Sequence, residues 1–194
     1  MWGIICCMIE TIIQKSIDVK QSILNDIRLH KNILSSVDIM CKAFESCNRV
    51  MFCGNGGSAA DAQHLAAELS GRFYKDRKAL PSDALHCNTS YLTAVANDYS
   101  YDVIYSRLVD GVMNSGDVLI GLSTSGNSKN IINAFKTAKE KGIITIALTG
   151  ETGGDIGILA DYLINVPNTD TPRIQEAHIM IGHIICELVE SKLF

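Results

Sequence analysis

The feature that most constrains this chain is a unit that occurs twice: an apolar run, a loop of small residues, and a helical stretch. Arg49-Val50-Met51-Phe52-Cys53 is broken by Gly54-Asn55-Gly56-Gly57-Ser58 and followed by the alanine-rich Ala59 to Leu69. The unit returns as Asp117 to Leu122, the loop Ser123 to Ser128, and Lys129 to Lys141. Further strands are predicted at Ile143 to Leu148 and Tyr162 to Val166, with a short one at Asp83 to Cys87, and a last helix from about Arg173 to Leu193. Continuous apolar strands must be covered on both faces, and strands alternating with helices join by right-handed crossovers. The pattern predicts an α/β protein, a three-layer α/β/α sandwich around a parallel sheet.

Ahead of this core, Ile9, Ile12, Ile13, Ile17, Leu24 and Ile27 recur at helical spacing, as do Ile33, Val37, Met40, Cys41 and Phe44, so two amphipathic helices are expected to open the chain. With 194 residues, 47% apolar and 20% charged, one sizeable core is expected: a single domain over 1–194, with helices in 1–46 and the α/β core in 47–194. A net charge of −4 without a basic block argues against a nucleic-acid partner. Seven cysteines without paired CxxC spacing read as reduced, mostly packed thiols of a cytoplasmic protein. The apolar opening, Met1 to Met8, is too short to span a bilayer, so no membrane role is expected. Because the helical pattern begins at Ile9, Met8 is a second candidate for the start of translation.

In open parallel sheets the ligand crevice lies at the carboxyl ends of the strands, where both small-residue loops fall. Ser123-Thr124-Ser125-Gly126-Asn127-Ser128 sets four hydroxyls and several backbone N–H groups at a helix N-terminus, a cradle suited to a phosphate dianion. A serine-rich turn can also serve only as an N-cap, but capping needs one hydroxyl. No Gly-Lys-Ser/Thr follows, which removes the lysine a nucleotide's terminal phosphates require. Gly54-Asn55-Gly56-Gly57-Ser58 fails the dinucleotide fingerprint, because Ala59 stands where the third glycine belongs. Its glycines instead permit close backbone approach to a ligand, with Asn55 able to meet hydroxyls.

His64 and Glu68 lie four residues apart, on one face of the following helix, where they can bind a divalent metal, serve acid–base chemistry, or simply contact each other at the surface. The last helix carries Gln175, Glu176, His178 and His183 among apolar residues, and such groups need partners. Glu176, seven residues before His183, aligns with it somewhat better than Gln175, eight before, but periodicity does not choose between carboxylate and amide, and histidines satisfied within a core are a competing reading for His178.

Taken together, Gly54-Asn55-Gly56-Gly57-Ser58, Asp61-Ala62-x-His64-x-Ala66-x-Glu68-Leu69, Asn97-Asp98, Ser123 to Ser128, and Arg173-Ile174-Gln175-Glu176-x-His178-x-x-x-x-His183 resemble the phosphoheptose isomerase family of sugar isomerase (SIS) domains, from the opening helices to the C-terminus. The resemblance implies a flavodoxin-like SIS fold and a homotetramer with sites at subunit interfaces, to which the helices of 1–46 contribute. It implies conversion of sedoheptulose 7-phosphate to D-glycero-D-manno-heptose 7-phosphate through an enediolate, the first step toward nucleotide-activated heptose for surface polysaccharide or lipopolysaccharide. By the same resemblance Glu68 is the general base and His183 the general acid. Asn55, Gly56, Gly57, Glu68, Asn97, Asp98, Ser123, Thr124, Ser125, Ser128 and Gln175 contact the phosphorylated sugar, and His64, Glu68, Gln175 and His183 hold zinc. Two alternatives stay open: an isomerase of another phosphosugar, and a non-catalytic SIS module that binds a protein, as in relatives associated with a bacterial replication initiator.

Overall fold

The computed structural model describes residues 2–194, and for residues 2–4 and 6 the backbone alone. Five parallel strands, β1 (Val50–Gly54), β2 (Ser82–Ala84), β3 (Val118–Ser123), β4 (Ile144–Thr149) and β5 (Tyr162–Asn165), form one sheet in the order β2-β1-β3-β4-β5. This is the flavodoxin-like strand order. Side chains alternate along each strand. Val50, Phe52, Val118, Ile120, Leu122, Ile146 and Leu148 enter one core, with Met51, Cys53, Leu119 and Ala147 in the other. The two cores are the physical reason the central strands β1 and β3 read as near-continuous apolar runs.

The first core is covered by α2 (Ile27–Glu45), α3 (Gly57–Ser70) and α8 (Thr171–Leu193). The second is covered by α4 (Thr89–Asp98), α5 (Ile104–Val112), α6 (Lys129–Glu140) and α7 (Gly154–Leu159), with a 3₁₀ turn at Tyr101–Val103 between α4 and α5. Gly121 in the middle of β3 admits the Phe135 ring of α6; a Cβ there would sit 2.5 Å from a ring carbon. Phe135 is fully buried as a result, worth about 1.5–3 kcal/mol by apolar transfer. α1 (Trp2–Asn25) lies outside this sandwich and packs on α8, sinking Val19 and Ile23.

The three-layer sandwich and its opening helices match the expectation, and several details differ. The first helix runs from Trp2, ahead of the Ile9 at which its periodicity becomes readable. It ends at Asn25 because Asp26 caps the next helix, accepting from the Leu29 N–H at 2.9 Å, so Ile27 opens α2. The edge strand β2 is three residues long and not the five expected over Asp83 to Cys87. Helices α4, α5 and α7 were not foreseen. α4 rests on a local device, the Asn88 side chain accepting from Tyr91 N–H at 3.0 Å, and α7 is a six-residue helix containing two glycines. Thiols expected to be mostly packed divide evenly among the described side chains: Cys41, Cys53 and Cys186 are buried, whereas Cys7, Cys47 and Cys87 are exposed. Among the described residues no helix is long and apolar enough to cross a membrane.

Candidate active site

The chain leaves β1 toward β2 and leaves β3 toward β4, so the sheet has its topological switch point between β1 and β3, with a crevice above their carboxyl ends. Both small-residue loops stand there. Gly54 is required for the turn into α3, since a Cβ would meet the Ser58 carbonyl at 2.4 Å. Gly56 holds φ +55° and faces open space, leaving backbone accessible at the start of the helix.

Asn55 is fixed by a reciprocal amide pair. Its Nδ2 donates to Asn130 Oδ1 at 2.9 Å and its Oδ1 accepts from Asn130 Nδ2 at 2.8 Å and from the Tyr101 hydroxyl at 3.1 Å. The pair joins the β1 loop to the first turn of α6. Tyr105 donates its hydroxyl to the Gly54 carbonyl. Burial, reinforced by neighbouring thiols and Tyr101, holds that phenol well above its ordinary range and so keeps it a donor.

The serine loop closes β3 and opens α6. Ser128 stands at the N-cap, yet its hydroxyl receives no helix N–H and instead meets the Ser123 hydroxyl at 3.0 Å. Simple capping therefore does not account for it. Ser123 is buried, Thr124 and Ser128 are half-buried and Ser125 is exposed, with Ser125 Oγ accepting from Asn127 N–H at 3.1 Å. Gly126, at φ +68°, is pressed against the α7 entry so closely that a Cβ would lie 2.0 Å from the Gly153 carbonyl oxygen. The loop is held from behind by Gly150, whose N–H donates to Thr124 O at 3.0 Å.

A third group of side chains comes from α3 and α8. His64 Nε2 stands 3.2 Å from Glu68 Oε1, and the His64 and His183 rings meet edge to face with centroids 5.0 Å apart. Ligand atoms of His64, Glu68 and His183 all lie within 4.8 Å of one another, a spacing that fits one divalent cation. Gln175 of α8 lies against Gly57 at the start of α3, its Nε2 2.8 Å from where a Cβ on residue 57 would fall.

The ambiguity over the last helix is resolved by direction. Glu176 turns toward α1, accepting from Ser16 Oγ at 2.6 Å and pairing with Arg173 at 2.6 Å. His178 is fully buried, with Nε2 3.0 Å from the Thr149 carbonyl, which can only accept, so this nitrogen carries the proton. Desolvation lowers its pKa to about 4 against the opposing effect of the Thr149 bond, and the ring stays neutral.

The SIS domain family model matches residues 17–150. The phosphoheptose isomerase of Clostridium acetobutylicum is 54% identical over 186 residues, covering 96% of this chain and 95% of that protein. The chain belongs to the SIS-domain phosphoheptose isomerase family. A Mycobacterium tuberculosis phosphoheptose isomerase is 50% identical over 95% of this chain and 94% of its own length. Among solved structures, phosphoheptose isomerase GmhA from Neisseria gonorrhoeae superposes with a TM-score of 0.91 at 40% identity, covering 96% of this chain and 99% of that one. A phosphoheptose isomerase from Francisella tularensis gives the same TM-score at 31% identity, with coverage of 96% and 98%.

In this family member the β1 loop and the serine loop stand at the carboxyl ends of β1 and β3, and the His64–Glu68–His183 cluster forms where α3 meets α8. Asn97 and Asp98, at the end of α4, hydrogen bond to each other at 2.9 Å, and it is the nearby Tyr101 that reaches the β1 loop. Sequence reasoning missed Tyr101 and Asn130. The signal for Asn130 was its polar side chain at a position that helical periodicity buries, where it is 3% exposed. Asp61 was quoted only as part of a motif; desolvation raises its pKa while His64 and His183 oppose the rise, which sets it beside the cluster.

Proposed function

We propose that this chain is the aldose–ketose isomerase that converts sedoheptulose 7-phosphate to D-glycero-D-manno-heptose 7-phosphate, the first step toward an activated heptose precursor. The observation that carries the reading is the meeting of Glu68 and His64 from α3 with His183 from α8 in a single cluster of ligand-type side chains. Relatives at 54% and 50% identity over nearly the whole chain, themselves phosphoheptose isomerases, support the substrate.

Hydrogen moves between the first two carbons of the open-chain sugar. Glu68, as carboxylate, removes the proton from the C1 carbon beside the ketone as His183 delivers a proton to the carbonyl oxygen, giving the cis-enediol. Removal of the C1 hydroxyl proton and return of a proton to C2 complete the aldose, with both residues restored. Ser123, Thr124, Ser125 and Ser128, with the α6 N-terminus, receive the phosphate, while Asn55, Gly56, Gly57, Asn97, Asp98 and Gln175 hold the hydroxylated chain.

The donor set fits zinc, with His64, Glu68, Gln175 and His183 as ligands. Bound there, the ion would supply positive charge that polarises the carbonyl and favours the enediolate.

In this reading residues 1–194 are one SIS unit that works in the cytoplasm as a homotetramer. Support for assembly lies on α1, where Ile5, Met8, Ile9, Ile12, Ile13 and Ile17 form an exposed apolar row, a surface that calls for a second copy. A panel of ketose phosphates tests the substrate. Sedoheptulose 7-phosphate is expected to give the highest kcat/KM; equal or better turnover of shorter ketose phosphates would overturn the heptose assignment.

A further inference from the structure

α3 ends at Ser70, leaving its last carbonyls without helical partners. Arg77 reaches back to cap them: Nη2 donates to Glu68 O at 2.9 Å, and Nη1 to Leu69 O at 2.7 Å and Gly71 O at 3.1 Å. The guanidinium is buried and finds its counter-charge on α8, where Glu190 Oε1 accepts from Arg77 Nε at 3.1 Å, both side chains being 2% exposed. Glu190 is also saturated from the intervening segment. It accepts from Phe73 N–H at 3.1 Å, Tyr74 N–H at 2.8 Å and Lys75 N–H at 2.9 Å. Desolvation works against the charge, but these three N–H groups and the guanidinium hold the carboxyl below its ordinary range.

A buried ion pair is weak evidence for stability, because desolving two charges costs several kcal/mol per ion and an apolar pair of equal volume would serve as well. What this pair provides is geometry. Through Arg77 it holds the Glu68 backbone. Through the Phe73 amide it sets a ring whose centroid lies 5.8 Å from that of His183.

We propose that Arg77 and Glu190 are positioning residues: their pair ties the carboxyl end of α3 to α8 and sets Glu68 and His183 at their working separation before metal or substrate arrives. The inference rests on the isomerase reading of the same cluster.

The test compares wild type and Arg77→Lys, which keeps the charge beside Glu190 but loses the fork onto the Glu68, Leu69 and Gly71 carbonyls. Cobalt(II) serves as the metal probe. The variant is expected to bind cobalt about tenfold or more weakly, with altered ligand-field absorption, and to lose kcat about tenfold while KM changes less than about twofold. A folded variant with wild-type cobalt spectrum, affinity and kcat would overturn the proposal. Should the variant not fold, hydrogen exchange on metal-free wild type decides: residues 73–75 should be protected like core amides, and exchange at open-loop rates would overturn it. Wild type that neither binds cobalt nor isomerises would instead overturn the isomerase reading.

Discussion

Leu65 of α3 and Gly182 of α8 are in contact so close that a Cβ on residue 182 would lie 2.4 Å from a Leu65 methyl carbon. The same crossing sets the Cys186 thiol 3.9 Å from the Leu65 carbonyl. His64 and His183 are the next residues along each helix, so this absent side chain is what lets the two halves of the cluster meet. Gly182→Ala is expected to lower stability by about 1–3 kcal/mol through overpacking and to cut kcat on the order of 10²-fold by separating the helices. Urea denaturation beside steady-state kinetics checks both; unchanged kcat in a destabilised variant would show that the crossing does not position the site.

Gly126→Ala strikes the phosphate loop. A Cβ would collide with the Gly153 carbonyl at 2.0 Å, and φ +68° is costly for any L side chain. Inhibition by inorganic phosphate should weaken by about tenfold or more, since the loop must shift. Unaltered phosphate inhibition would place the phosphate site elsewhere.

His178 predicts an acid limb of stability. Its folded-state pKa of about 4 lies below the ordinary 6.5, so as pH falls the unfolded chain takes the proton first. The contribution is present above pH 6.5 and is lost as pH falls toward 4, roughly 3 kcal/mol in full. Denaturation curves at several pH values should show a smaller loss for His178→Gln than for wild type over this window. Parallel losses would remove His178 from the effect.

Ile9→Lys combined with Ile13→Lys tests the α1 row. The protomer is 21.1 kDa, and wild type is expected to sediment as a tetramer of it while the double variant sediments as a smaller species with unchanged helicity. A variant that remains tetrameric would place the interface on another surface.

The sheet was legible because β1, β3 and β4 are buried on both faces and are predominantly apolar, with Thr145 the one polar residue inside β4. The cluster was half legible: spacing puts His64 and Glu68 on one helix face, but no periodicity reports that α8 crosses at Leu65 or that Gln175 lies against Gly57. Those are tertiary facts, written only in what Gly57 and Gly182 lack. Helical phase aligns Glu176 somewhat better than Gln175 with His183 without choosing between them, and in the fold Glu176 turns instead to Ser16 of α1. Arg77 and Glu190 left no trace in sequence because they lie 113 positions apart. Helices α4 and α7 escaped notice because a side-chain cap on one and glycines in the other replace amphipathic rhythm.

Proton NMR of sedoheptulose 7-phosphate in deuterated water, with zinc-loaded wild type and Glu68→Gln side by side, addresses the central claim most directly. Wild type should generate the aldose heptose phosphate and introduce deuterium at the exchanging carbon, and Glu68→Gln should do neither while keeping its fold. Aldose formation or exchange by Glu68→Gln at the wild-type rate would contradict Glu68 as the base, and their absence with wild type would contradict the isomerase itself.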